Sequence, residues 1–96
     1  MIFKFGNSSY SSKQIYHINA TFSEDRKNML GICRITDLEI ECDENIPYQI
    51  KTKIETQLFN YFADKEYIIE DSNWQEYATN DIANYTDVSN ITIIHE

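Results

Sequence analysis

The first half of the chain alternates between apolar and polar residues, a pattern that is typical of β-strands. Residues 14–22 alternate in this way, and residues 29–36 form a second apolar run. Because successive side chains of a strand point to opposite faces, the period of two predicts two strands here. The wholly polar stretch between them, residues 23–28, predicts a hairpin loop. One face of the first strand is expected to carry Tyr16, Ile18, Ala20 and Phe22.

The segments that flank this hairpin complete the first half. Residues 2–5 form a short apolar start, and the serine-rich residues 7–13 predict a loop. After the hairpin, Leu38, Ile40 and Cys42 alternate with acidic residues, either as a new strand or as a continuation of the return strand after a bend. The outward face of this segment is predicted to be a row of carboxylates, formed by Asp37, Glu39, Glu41 and Asp43.

The second half changes to the spacing of an amphipathic helix. Pro47 suits the first position of a helix, where its missing N–H has no consequence. Apolar residues then recur at helical spacing and predict a stripe that faces the core, formed by Ile50, Ile54, Leu58, Tyr61 and Phe62. Tyr48, Glu55 and Phe59 cluster beside this stripe. The helix is therefore either covered on two sides or presents an aromatic patch to a partner.

A second, shorter helix is predicted near the end of the chain. Ser72 and Gln75 have the spacing of a capping box, which indicates a helix start. The helix is expected to run to about residue 84 and to place on one face Trp74, Tyr77, Ala78, Ile82 and Tyr85. Residues 67–69 before it predict a short strand or a tight connection, and residues 87–90 and 91–95 after it predict a turn and a final strand.

Together these elements predict one α+β domain over residues 1–96, in the order β-β-β(-β)-α-β-α-β. Strands and helices do not alternate regularly, which argues against a doubly wound parallel sheet. We expect a small antiparallel sheet of about three to five strands, with the main amphipathic helix packed on one face and the second short helix beside it.

The charge of the chain is unevenly distributed. There are 16 acidic and 8 basic residues, a formal net charge of -8. Residues 1–36 hold five basic and two acidic residues, a balance of +3, whereas residues 37–96 hold 14 acidic and three basic residues, a balance of -11. Such a field repels nucleic acids and anionic membranes and favours basic partners. The N-terminal residues become polar too quickly for a signal peptide, and no apolar stretch reaches the ~18 residues of a membrane helix, so a cytoplasmic location is expected.

Candidate metal ligands and catalytic groups are few and widely spaced. Structural zinc sites usually pair ligands a few residues apart, but Cys33 and Cys42 are nine residues apart, and neither His17 nor His95 has such a neighbour. The sequence also lacks a nucleophile elbow and a glycine-rich phosphate loop. We therefore expect no metal, no cofactor and no catalytic residue. A small enzyme that uses His17 or a pair of carboxylates is the remaining catalytic alternative.

The acidic residues carry the main functional hypothesis, a non-enzymatic protein that inhibits or neutralises a basic, nucleic-acid-handling partner by electrostatic and steric occlusion. Acids would steer the partner, and aromatic side chains would anchor it. The candidate contact residues are Asp37, Glu39, Glu41, Asp43, Tyr48, Phe59, Glu66, Glu70, Asp71, Trp74, Glu76 and Tyr77.

In size, acidity and expected location the chain resembles small acidic immunity proteins against nuclease toxins and phage-encoded inhibitors of restriction or CRISPR nucleases. No sequence motif carries this resemblance. It implies a basic protein partner, most directly a nuclease, and no direct contact with nucleic acid or membrane. The alternative is a generic protein–protein interaction or assembly module that binds through the aromatic patch of Tyr48 and Phe59. An ordinary solvated acidic surface and a homodimer both stay open at this stage.

Overall fold

The computed structural model describes residues 1–25 and 31–96, which form two β-sheets and two α-helices. The strands are β1 (Ile2–Phe5), β2 (Ser8–Ser11), β3 (Ile15–Asp25), β4 (Ile32–Cys42), β5 (Tyr67–Ile68) and β6 (Ile91–His95). The α-helices are α1 (Tyr48–Phe62) and α2 (Trp74–Thr86), and a short 3₁₀ helix covers Ser12–Gln14. The predicted α+β class and the predicted order of elements are confirmed.

The larger sheet has the strand order β5-β4-β3-β6. β3 and β4 form the predicted antiparallel hairpin, and β4 continues to Cys42, so the acidic segment is a continuation of the return strand. β5 pairs antiparallel with the start of β4, whereas β6 runs parallel to β3 and makes the sheet mixed. The loop prediction is wrong for residues 23–25, because backbone pairing extends β3 beyond its apolar alternation. Residues 26–28 of that loop lie outside the described residues.

Two shifts in the register of this hairpin decide which side chains reach the core. The first lies between Ile15 and His17, and as a result Ile15 is buried while Tyr16 is 59% exposed. The prediction that Tyr16 shares the buried face of its strand is wrong for this reason. The second shift leaves Thr36 without an opposite residue in β3. Beyond Thr36, the acidic residues of β4 face away from the core.

β1 and β2 pair as a separate antiparallel hairpin, although a loop was predicted for most of this segment. Gly6 has a φ of +62° at the first position of the two-residue turn, a conformation that glycine adopts without strain. The turn lets Ser8–Ser11 pair back with Ile2–Phe5, and this pairing overrides the loop preference of the serines. A capping box between Ser11 and Gln14 then begins the 3₁₀ helix.

α1 and α2 cover one face of the larger sheet and share its core. The buried stripe of α1 consists of Ile54, Leu58 and Phe62, as predicted. Tyr61, also predicted in the stripe, is 46% exposed at its margin, and its ring stacks on Tyr85 of α2 with 3.5 Å between the ring centroids. Neither α-helix in the described part of the chain has the length and apolar character that crossing a membrane requires.

The starts of both helices differ slightly from the predictions. α1 begins at Tyr48, and Pro47 is the residue before the helix rather than its first residue. Asn73 precedes α2, so the predicted capping box at Ser72 is wrong. Asp71 takes over this role in part, because its Oδ1 accepts a hydrogen bond from the Asn73 N–H at 3.0 Å.

Candidate functional site

Three of the predicted acids form a row on the open face of the larger sheet. Asp37, Glu39 and Glu41 occupy alternate positions of β4 and are all exposed, whereas Leu38 and Ile40 between them are buried. Alternate residues of a strand lie about 6.7 Å apart. We call Asp37, Glu39 and Glu41 the acidic row.

Asp43, the fourth acid predicted for this row, does not belong to it. β4 ends at Cys42, and Asp43 is partly buried beside Tyr16. Partial desolvation raises the pKa of Tyr16 above its usual value, and the charge and hydrogen bond of Asp43 raise it further. Asp43 Oδ1 also accepts the N–H of Asn45 at 3.0 Å. Its carboxylate is therefore engaged by Tyr16 of β3 and by its own loop.

Two carboxylates of the acidic row have no cation beside them in the part of the chain that the structure describes. The register places Thr21 and Asn19 of β3, both uncharged, opposite Asp37 and Glu39. Within residues 1–25 and 31–96, no lysine, arginine or histidine nitrogen lies within 4.0 Å of either carboxylate. The row therefore presents uncompensated negative charge to solvent.

His17 links the third acid of the row to the edge strand β6. Its Nδ1 lies 2.7 Å from Glu41 Oε2, and its Nε2 lies 2.6 Å from Thr92 Oγ1. A carboxylate, an imidazole and a hydroxyl group in this order are able to relay a proton. The three side chains lie across three strands, and none of them lines the cavities beside α1 that are described below. What the contacts do directly is hold the Glu41 carboxylate in place on the sheet.

The later predicted acids are not joined to the acidic row. Glu66 forms an ion pair with Arg34, whose Nε also lies 3.6 Å from Asp25 Oδ2. Arg34 precedes Asp37 on β4, so a cation separates Glu66 from the row. The remaining three acids are exposed on the segment after β5 and on α2, and they are Glu70, Asp71 and Glu76.

The predicted aromatic contact residues are spread over different surroundings. Tyr48 is 75% exposed at the start of α1, and Tyr77 is 49% exposed on α2. Trp74 is 5% exposed, and its ring centroid lies 5.6 Å from that of Phe22, so the prediction of Trp74 as a partner contact is wrong. The first turn of α2 lies over the core at this point, which buries the indole ring. Phe59 is partly buried and packs against the core from α1.

A cavity of about 280 Å³ lies between β4 and α1 beside the acidic row. β5 pairs only with the first residues of β4, so this edge of β4 has no neighbouring strand farther along, among the residues that the structure describes. Glu55 of α1 covers part of the edge, because its Oε2 accepts the N–H of Ile40 at 2.9 Å. The residues that line the cavity are Thr36, Asp37, Leu38, Thr52, Glu55, Thr56 and Phe59. Asp37 and Phe59, predicted on separate elements, are thus brought together.

Sequence reasoning misses the other polar residues of this cavity. Thr36 reaches it only through the register shift in the hairpin, and Thr52 and Thr56 look like ordinary residues on the polar side of a helix. The one available signal was Glu55, a charged residue beside the apolar stripe of α1, with a side chain that is only 15% exposed. A second cavity of about 430 Å³ lies on the other side of α1, next to Phe5.

Neither cysteine forms a disulfide. Cys33 is fully buried with its Sγ 3.7 Å from His95 Nε2. Burial raises the pKa of the Cys33 thiol, and the nearby Glu24 carboxylate raises it further, so the thiol form is favoured over the nucleophilic thiolate. In the described ranges, no three histidine, cysteine or acidic side chains converge in a way that suits a metal ion.

Comparisons with protein-family models, with curated proteins and with solved structures found no match to this chain.

Proposed function

We propose that this chain is a non-enzymatic acidic binding protein that inhibits a basic, nucleic-acid-handling protein in the cytoplasm, with a nuclease as the leading candidate. The acidic row supports this proposal most directly. Asp37, Glu39 and Glu41 lie on an open sheet face, and the first two have no cation within ion-pair distance in the described part of the chain.

The geometry of the row suits a cleft that normally holds a phosphate backbone. Its carboxylates follow one another at about 6.7 Å. One strand of DNA carries a phosphate about every 3.4 Å of helix axis, and neighbouring phosphates lie farther apart than this rise because the backbone winds around the axis. The spacing of the row is therefore of the same order as that of neighbouring phosphates. A protein that neutralises phosphates with lysine and arginine side chains would find acceptors of the same sign at a compatible spacing.

The position of the acidic row on the sheet makes its charge accessible to a partner. The face that carries Asp37, Glu39 and Glu41 is not covered by α1 or α2, because both helices pack on the opposite face. A basic surface is therefore able to approach all three carboxylates together. The folded domain behind the row would then exclude nucleic acid from the occupied cleft, since both ligands need the same cations.

The test is the binding of the chain to a panel of basic nucleases and nucleic-acid-binding proteins, followed by an assay of nuclease activity or of DNA binding. We expect the affinity for the partner to fall between ~0.01 M and ~1 M salt, as the Debye length shrinks from about 30 Å to about 3 Å. The double variant Glu39→Lys and Glu41→Lys should bind at least about tenfold more weakly and lose inhibition.

A matched control separates the acidic row from net charge alone. The double variant Asp64→Lys and Glu96→Lys changes the net charge by the same amount at exposed acids that are neither in the row nor among the candidate contact residues. It should retain most of the affinity. Equal losses in both double variants would show that the row has no special role, and an affinity that does not depend on salt would refute the electrostatic mechanism.

A further inference from the structure

The cavity between β4 and α1 has threonine hydroxyl groups that have already donated their protons. Thr52 Oγ1 donates to the Tyr48 carbonyl at 2.7 Å, and Thr56 Oγ1 donates to the Thr52 carbonyl at 2.9 Å. Thr36 Oγ1 donates to the Thr21 carbonyl at 3.3 Å. A hydroxyl group has one proton and two lone pairs, so each of these oxygens now offers the cavity only acceptor capacity.

The two carboxylates of the cavity have the same character, because an ionised carboxylate only accepts hydrogen bonds. Glu55 is already partly satisfied, with the Ile40 N–H at 2.9 Å and Lys51 Nζ at 3.5 Å from its Oε2. Asp37 has no cation within 4.0 Å among the described residues. Asp37 is therefore the carboxylate with the most unused capacity for a ligand.

The remaining lining side chains are apolar. Leu38 is buried beneath the cavity, and Phe59 contributes part of a ring that is only partly covered. The complete lining thus combines an apolar part with five polar side chains that accept and do not donate, namely Thr36, Asp37, Thr52, Glu55 and Thr56. A ligand that satisfies these side chains brings N–H donors, a positive charge and an apolar stem.

We infer that this cavity binds one arginine side chain of a basic partner protein. This inference rests on the proposed function, because it names the group that the partner would insert beside the acidic row. A guanidinium group carries five N–H donors and no acceptor, and its three-carbon stem packs on apolar surface. It also stacks on aromatic rings, which suits Phe59. The volume of about 280 Å³ lies just below the range of about 300–1,000 Å³ for drug-sized ligands and suits a single side chain.

Arginine is favoured over lysine by the spread of the acceptors. The lining acceptors come from both β4 and α1, on two sides of the cavity. The planar fork of a guanidinium reaches several acceptors in different directions, whereas a lysine ammonium presents a compact point charge that is more strongly hydrated. The cavity should therefore distinguish the two cations.

The experiment is a ¹H–¹⁵N NMR titration of the chain with three capped tripeptides, in which glycine flanks arginine, lysine or citrulline. Citrulline keeps the shape of arginine and loses the charge. We expect the arginine peptide to shift the amide signals of Leu38 and Thr56, the citrulline peptide to bind at least about tenfold more weakly, and the lysine peptide to bind several-fold more weakly. Equal binding of arginine and citrulline peptides, or of arginine and lysine peptides, would overturn the assignment.

Two variants locate the interaction. Asp37→Asn removes the uncompensated charge and should weaken the arginine peptide about tenfold. Thr56→Val keeps the volume of the side chain, removes one acceptor and should weaken it several-fold. Asp64→Asn, the same substitution at an exposed acid outside the cavity, should leave the affinity unchanged. Unchanged binding in Asp37→Asn, with a native spectrum of the variant, contradicts the proposal.

The same measurements separate this inference from the proposed function. A basic partner whose salt-dependent binding depends on Glu39 and Glu41 but not on Thr56 would refute the cavity and support the acidic row. An arginine peptide that binds at Leu38 and Thr56, in a chain that inhibits no basic protein, would support the cavity and refute the proposed function.

Discussion

Glu39→Gln should stabilise the fold while it weakens partner binding. Glu39 is the middle residue of the acidic row, with Asp37 and Glu41 at about 6.7 Å on either side. Asn19, the residue opposite Glu39 on β3, carries no charge to offset this repulsion. Glutamine keeps the length and polarity of the side chain, so the substitution removes the charge and little else.

The magnitude follows from Coulomb's law. Two unit charges about 6.7 Å apart in water repel by about 0.6 kcal/mol. Repulsion of the Glu39 charge by its two neighbours therefore lowers the free energy of unfolding by about 1.2 kcal/mol before screening. A Debye length of about 10 Å at ~0.1 M salt reduces this to about 0.6 kcal/mol, and at ~1 M salt almost nothing remains. For a domain of this size, about 0.6 kcal/mol corresponds to a rise of the Tm by about 2–5 °C.

Thermal unfolding followed by circular dichroism at ~0.1 M and ~1 M salt measures this effect. Glu76→Gln is the matched control, because it relieves the same net charge on a different surface. Glu76 lies in the first turn of α2, where a negative charge favours the helix, so its removal should leave the Tm unchanged or lower it slightly. An equal gain in both variants, or a gain in Glu39→Gln that persists at ~1 M salt, would refute repulsion within the row.

Three further substitutions test the fold by urea unfolding. Thr86→Val should cost about 1–3 kcal/mol, because the fully buried Thr86 hydroxyl accepts the Val88 N–H at 3.1 Å, and valine leaves that donor unpaired; a cost near zero would contradict this. Gly6→Ala should cost about 1–2 kcal/mol from its φ of +62° alone, since an added Cβ meets no atom within 4 Å; an unchanged free energy of unfolding would show that the turn tolerates alanine. Tyr67→Phe should cost about 1 kcal/mol near neutral pH through loss of the 2.6 Å hydrogen bond to Asp81. Burial, and to a smaller extent Asp81, raises the pKa of Tyr67 in the folded chain. Above a pH of about 10, Tyr67 ionises in the unfolded chain but not in the folded one, so the wild-type chain should lose stability as the pH rises. Tyr67→Phe should lose less stability over the same range.

The sequence predicts the elements well where apolar periodicity is long. The alternation before Phe22 and the spacing of Ile54, Leu58 and Phe62 each give the correct element and most of the buried residues, because one face of each must pack on the core. The errors lie where backbone geometry overrides the pattern. Gly6 allows a tight turn that recruits serines into a strand, and a shift of one residue in the register turns Tyr16 outward.

The candidate site divides in the same way. The alternation of acids in β4 predicts the acidic row, because the period of two fixes the face to which each carboxylate points. The cavity depends on where α1 lies against the edge of β4, a tertiary arrangement that no local pattern encodes. Trp74 is the opposite case. Tryptophan is a residue type that is common at interfaces, but the contact of this ring with Phe22 places it in the core.

Asp37 is the residue that belongs both to the acidic row and to the lining of the cavity, and this position separates two roles for the acids. Glu39 and Glu41 are exposed and act on a partner at distances where Coulomb forces operate through solvent, so they should affect mainly the rate of association. Asp37 and Phe59 line the same cavity, where a bound cation exchanges part of its water for fixed acceptors, so they should affect mainly the rate of dissociation. An acidic surface that only keeps a protein soluble has no reason to show this division, because its charges act through their sum. Association and dissociation rates of Glu39→Gln and Asp37→Asn, which carry the same net charge, therefore distinguish an evolved binding face from a solvated one.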